Sequence, residues 1–170
     1  MVHLGSAGTT HRSGQVCSGQ HRKKLEQPSG ERIEVITPQE NELLFVCVEN
    51  AGRSQMAEAF AKKYHLNASS AGTIPSVKVN PVVAEAMKEK GVDISKNVPR
   101  LLTAEMIQRA SLVVTMGCSV EEACPKPILA QMQKKLVDWN LEDPKGKSID
   151  QVRKIRDEIE ARVKRLADEF

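Results

Sequence analysis

The feature that most constrains this chain is the junction at residues 43–54, where the apolar run Leu43-Leu44-Phe45-Val46 ends in C-V-E-N-A-G-R-S. A short run of large apolar residues is the pattern of a strand buried on both faces. Directly after the loop, Met56, Ala57, Phe60 and Ala61 recur at helical spacing. Strand, short loop and helix in that order favour an anion site, because loop amides and the helix N-terminus can point into one concavity. Cys47 opens this loop and Arg53 closes it. A bare C-x5-R arises by chance, and a free cysteine is often a small buried hydrophobe. The strand before it and the helix after it are what give the spacing meaning.

Each loop residue then has an expected role. The amides of Val48, Glu49, Asn50, Ala51 and Gly52 line a nest for a tetrahedral anion, with Arg53 and Ser54 completing it. Arg53 offers a planar fork that can hold two anion oxygens at once. The same positive environment favours thiolate over thiol at Cys47. Gly52 is expected to permit an otherwise strained turn. Ser54 is placed to donate a hydroxyl hydrogen bond to the Cys47 sulfur, and the Asn50 amide to brace the loop from inside.

The 170 residues suffice for one core and are too few for two typical domains. Aromatics make up only 3%, so the core must be aliphatic. A formal net charge of +3, spread along the chain, argues against a nucleic-acid surface. No apolar run approaches a membrane span and no secretory signal is visible, so a cytoplasmic protein is expected. Four cysteines in that setting read as reactive thiols rather than structural disulfides.

Residues 1–40 are polar and aperiodic and are expected to form a flexible extension, with at most a short strand at Ile33 to Ile36. Cys17 lies there beside His11 and His21. The domain, residues 41–170, alternates strands and helices. Strands are expected at Leu43 to Val48, Ala68 to Ala71, Ser111 to Met116 and Leu136 to Trp139. Helices are expected from Ser54 to about Tyr64, from an Asn80 cap with Pro81 at the first position, from a Thr103 cap to about Arg109, and from a Ser148 cap to the end. This is an α/β fold: a single domain with a four-stranded parallel sheet and helices on both faces. Ligands of such sheets bind at the carboxyl ends of the strands. Cys47, Gly117-Cys118 and the segment Trp139 to Asp143 all fall there.

Cys118 and Cys124 follow the third strand in M-G-C-S-V-E-E-A-C-P. Their separation is too wide for a C-x-x-C metal knuckle but suits a loop that closes into a disulfide. Zinc would need four ligands, and the domain offers three cysteines plus His65, so no metal and no cofactor are expected. Thiolate chemistry on an oxyanion also needs an acid for the departing oxygen. Asp143, before Pro144 at the last strand end, fits. Asp138 and Glu142 are neighbouring carboxylates, and spacing alone does not choose among the three.

With these motifs in view, the chain from about Glu42 onward resembles the low-molecular-weight phosphotyrosine phosphatase superfamily. Within that superfamily it resembles the arsenate reductases that share the fold. The phosphatases carry the C-x5-R-S loop and a late Asp-Pro, matched by Cys47, Arg53, Ser54 and Asp143. Often they have tyrosine after Asp-Pro, where this chain has Lys145-Gly146-Lys147. The reductases add paired cysteines, and the segments R-S-Q-M-A-E, S-A-G-T and D-P-K-G-K are like theirs. The resemblance implies attack of Cys47 on arsenate, protonation by Asp143, a Cys47–Cys118 disulfide, and transfer to Cys118–Cys124. Thioredoxin, or a small thiol with a glutaredoxin-like partner, would reduce that pair. The protein is expected to act as a monomer. Some members bind potassium through residues matching Asn50 and Glu58, but no acidic partner is visible near Arg100 and no ion is expected. Two other readings stay open: a protein tyrosine phosphatase with incidental cysteines, and an anion-binding or redox-sensing module without turnover.

Overall fold

A computed structural model describes residues 41–117 and 136–169. Strands β1 (Leu43–Cys47), β2 (Ala68–Gly72), β3 (Leu112–Thr115) and β4 (Leu136–Asp138) alternate with helices α1 (Arg53–Lys63), α2 (Pro81–Lys88), α3 (Ala104–Arg109) and α4 (Ile149–Glu169). The strands form one parallel sheet in the order β2-β1-β3-β4. β1 is central, so both its faces are covered, and all five of its residues are buried. That is why it reads as an unbroken apolar run rather than an alternating one.

Its alternate side chains serve two cores. Leu43 and Phe45 point to the layer built by α1, α2 and α4, where Met56, Phe60, Val83, Met87, Ile155 and Ile159 meet them. Leu44 and Val46 point to the other face, against Ala71, Leu102, Ile107 and Val113. The long α4 buries Val152, Ile155, Ile159 and Val163, an apolar stripe at helical spacing. An ionic clamp adds to this packing. Arg156, buried on α4, donates to the Ala86 carbonyl at 2.7 Å and to Glu89 at 2.8 Å, and Arg153 also binds Glu89. These bonds tie α4 to the end of α2. Hydrogen bonds first from Arg153 and then from Arg156 hold the Glu89 carboxyl down to about 2.

The helix caps follow the sequence signals. Asn80 Oδ1 accepts from the Val82 amide at 3.0 Å with Pro81 at the first helical position. Thr103 Oγ1 accepts from Met106 and Ser148 Oγ from Gln151. The terminal residues of the expected strands fall outside the ladders: β1 ends at Cys47, β3 spans Leu112–Thr115 and β4 stops at Asp138. β4 stops because Asp138 turns its carboxylate onto the chain. Asp138 Oδ1 accepts from Thr115 Oγ1 at 2.9 Å, the Gly117 amide at 2.9 Å and the Asn140 amide at 3.2 Å. The strand expected at Ile33 to Ile36, and the extension that holds Cys17, His11 and His21, lie outside the described residues.

Candidate active site

At the carboxyl end of β1 the chain wraps into a loop whose carbonyls point outward. Val48 O, Glu49 O and Ala51 O accept from the amides of Ile74, Ser76 and Asn80, on the connection between β2 and α2. With the carbonyls held outside, the peptide planes turn their N–H groups inward. Among the described residues the amides of Glu49, Ala51 and Gly52 take no main-chain acceptor. These residues and Arg53, the first residue of α1, line a cavity over Cys47, the position in which a nest would hold an anion. β2 must come close to hold this shape. A Cβ at Gly72 would meet Val48 O at 2.5 Å and the Asn50 amide nitrogen at 2.9 Å.

Cys47 is buried at the floor of the loop. Its sulfur receives the Asn50 amide at 3.1 Å and lies 2.9 Å from Ser54 Oγ. The surrounding network decides which way the serine hydroxyl points. Asn50 Oδ1 accepts from Gln55 Nε2 at 3.1 Å and from the Arg100 amide at 2.8 Å, which fixes the side-chain amide. Asn50 Nδ2 therefore faces inward, donating to Ser54 Oγ at 2.8 Å and Ser70 Oγ at 2.9 Å. Ser54 receives that bond, so its own hydrogen goes to sulfur. Ser70 passes its hydrogen to Glu58. Asn50 adopts φ 49 to do this, a left-handed conformation that asparagine tolerates better than most residues.

Glu58 ends this chain. Burial raises its carboxyl, but hydrogen bonds from Lys62 and Ser70 and the charge of Arg100 outweigh burial and leave it below the ordinary value. Arg100 Nη2 reaches both of its oxygens, at 2.8 and 2.7 Å. The carboxylate that the resemblance would give to an ion is thus held by two of the chain's own cations. Among the described residues no cluster of three or more metal-binding side chains is found.

Arg53 is buried, yet its fork is only partly used. Nη1 donates to Met116 O at 3.0 Å and Leu141 O at 2.8 Å, and Nη2 to Asp143 Oδ2 at 2.6 Å. Among the described residues, three of its five N–H groups are engaged. The remaining pair, on Nε and Nη2, shares one edge of the plane and can grip two anion oxygens. The bond to Arg53 singles out Asp143 from its neighbours. Asp138 is committed to Thr115 and to the Gly117 and Asn140 amides, and Glu142 pairs with Lys147 at 2.6 Å. Asp143, more than half exposed, faces a cavity of about 30 Å³ that Cys47 and Arg53 also line. That volume accommodates a small tetrahedral anion.

Gly52 lies at φ −141° and ψ −96°, outside the helical and extended regions. It also provides room, because a Cβ there would meet Pro144 Cγ at 2.9 Å. The acid-bearing loop rests directly on the glycine. Val48 and Ala51 line the cavity. Cys118 and Cys124 lie outside the described residues, which stop at Gly117 on that side.

Sequence reasoning missed Gln55 and Ser70, and valued Glu58 and Arg100 only for a cation. Ser70 and Arg100 meet their partners 12 to 50 residues away, so no local spacing reports them. No periodic signal marked them: Gln55 and Glu58 lie off the stripe of Met56, Ala57, Phe60 and Ala61, on the side of α1 shared with Lys62, yet both are buried.

Comparison with known proteins agrees with this geometry. The family profile described as "Low molecular weight phosphotyrosine protein phosphatase" matches residues 42–170. An arsenate reductase of Brevibacillus brevis is 39% identical over 129 residues, covering 74% of this chain and 93% of that protein. Among solved structures, the thioredoxin-dependent arsenate reductase of Corynebacterium glutamicum is 36% identical with a TM-score of 0.60, over 75% of this chain and 60% of that one. The YwlE arginine phosphatase, solved with a phosphorylated active-site serine, is 29% identical with a TM-score of 0.68, over 75% and 94%.

Proposed function

The chain belongs to the low-molecular-weight phosphotyrosine protein phosphatase family, and from that premise we propose that it is an arsenate reductase. Its relation to the Brevibacillus brevis enzyme, over nearly that enzyme's whole length, carries the choice of activity. The geometry supports the chemistry. Loop amides and the open edge of Arg53 bind the oxyanion. Cys47 thiolate, held by Ser54 and the Asn50 amide, attacks arsenic. Asp143 supplies the proton on which one oxygen leaves as water, giving a Cys47 thioester of arsenic(V). Cys118 thiolate then attacks the Cys47 sulfur. The sulfur–arsenic electron pair stays on arsenic, which leaves as arsenite, and a Cys47–Cys118 disulfide forms. Attack by Cys124 on Cys118 frees Cys47 as thiolate and leaves a Cys118–Cys124 disulfide. Two thiols have supplied two electrons, and a thioredoxin-type dithiol restores them.

The competing reading is ester hydrolysis by the same loop, with water rather than a thiol resolving the Cys47 adduct. Cys118→Ser separates the two. With thioredoxin, its reductase and NADPH, the variant is expected to lose multiple-turnover arsenate reduction, while any aryl phosphate hydrolysis persists. Undiminished arsenate turnover in the variant would sink the reductase reading. Robust phosphotyrosine hydrolysis by the parent without arsenite would favour a phosphatase.

A further inference from the structure

The rim of the anion cavity carries an ion pair. Lys145 Nζ meets Glu49 Oε1 at 2.5 Å, joining the residue after Asp143-Pro144 to the second residue after Cys47. Both side chains line the cavity over the thiol. The turn behind Lys145 is pinned, with its amide on Asp143 Oδ1 at 2.8 Å and Pro144 seated on Gly52. The lysine is thus anchored at its backbone and solvated at its tip, 70% exposed in its side chain. Such a solvated pair is weak, so a stronger acceptor can break it.

A second observation concerns what the rim lacks. The chain has five aromatic side chains, and those among the described residues are committed elsewhere. Phe45, Phe60 and Trp139 are in the core, and Tyr64 binds Glu160. None lines the cavity. The organic group of an ester bound through its phosphate meets a charged rim of Glu49 and Lys145 there and, among the described residues, no ring to stack on. A small dianion carries enough charge to draw an ammonium away from a single carboxylate.

We propose that Glu49 and Lys145 form a specificity latch: Lys145 leaves Glu49 to hold the outward oxygens of a small inorganic tetrahedral dianion, and the charged rim disfavours aryl phosphate esters. This rests on the oxyanion-reductase reading and names the substrate feature that it selects. Glu49 has two effects in the empty site. It keeps Lys145 over the cavity, and it competes with the incoming anion, so that weakly charged ligands do not open the pair.

Calorimetric titration of the reduced full chain with inorganic phosphate tests the latch without any turnover. Lys145→Ala is expected to weaken phosphate binding about tenfold, the loss of one hydrogen bond between charged groups. Glu49→Gln is expected to tighten it about threefold by removing the competitor. In the double variant the gain from Glu49→Gln should vanish, because the lysine that it frees is gone. Lys145→Tyr should raise kcat/KM for an aryl phosphate relative to phosphate affinity. Equal phosphate affinity in the parent and Lys145→Ala, additive effects in the double variant, or no phosphate binding by the parent would overturn the latch. Arsenite production, assayed separately, judges the reductase reading, so failure of one does not pass for failure of the other.

Discussion

Replacing Asn50 with aspartate keeps the shape of the side chain and reverses one hydrogen bond. The oxygen pinned by Gln55 and Arg100 stays an acceptor, while the atom facing Ser54 changes from donor to acceptor. Ser54 must then give its hydrogen to the aspartate and withdraw it from Cys47. Asn50→Asp is expected to slow alkylation of Cys47 by iodoacetamide about tenfold to a hundredfold, the range for a lost hydrogen bond to a charged atom. Peptide mapping separates Cys47 from the other thiols, and an unchanged rate would show that the serine's orientation does not matter. At this scale Cys47, Arg53 and Ser54 were legible because they lie on one loop, where spacing sets geometry. Asp143 was legible only as one of three carboxylates, since the choice depends on contact with Arg53, 90 residues away. Ser70 was not legible at all, because its two partners come from the loop and from α1.

Elements were read well wherever a cap or an apolar stripe is local: Asn80, Thr103 and the stripe of α4 show this. A second constraint on Gly52 was not legible, because it comes from Pro144, on another loop. Gly52→Ala should therefore push the Asp143 loop away from the nest. The expected result is a fall in kcat of at least about tenfold, since even small misplacements of catalytic groups are costly. Parent-like kcat would mean that the loop moves aside without consequence. The α2–α4 clamp makes a different prediction. Glu89 is held at about 2 against an ordinary value of 4.5. A carboxyl lowered on folding stabilises above its unfolded value, and that stabilisation is lost as pH falls through the folded one. Melting curves of the parent and Glu89→Gln should differ most near neutral pH, and the difference should shrink between pH 4.5 and about 2. A difference in Tm that is constant across that window would remove the clamp from the account.

For the whole molecule, the parallel sheet was legible because β1 and β3 are apolar on both faces, a pattern that only covering layers explain. The strand order was not, since nothing local says that β1 lies between β2 and β3. Topology then places the Cys47 loop, the end of β3 at Gly117 and the Asp143 loop along one edge of the sheet. The central claim is that the nucleophile on this edge is oxidised rather than released by water. A single-turnover experiment tests it most directly: fully reduced protein is mixed with excess arsenate and no external reductant, quenched, and assayed for arsenite and for mapped disulfides. The account predicts one arsenite per protein and one new disulfide, between Cys118 and Cys124. Arsenite without that disulfide, or no arsenite from protein whose thiols are all reduced, would contradict it.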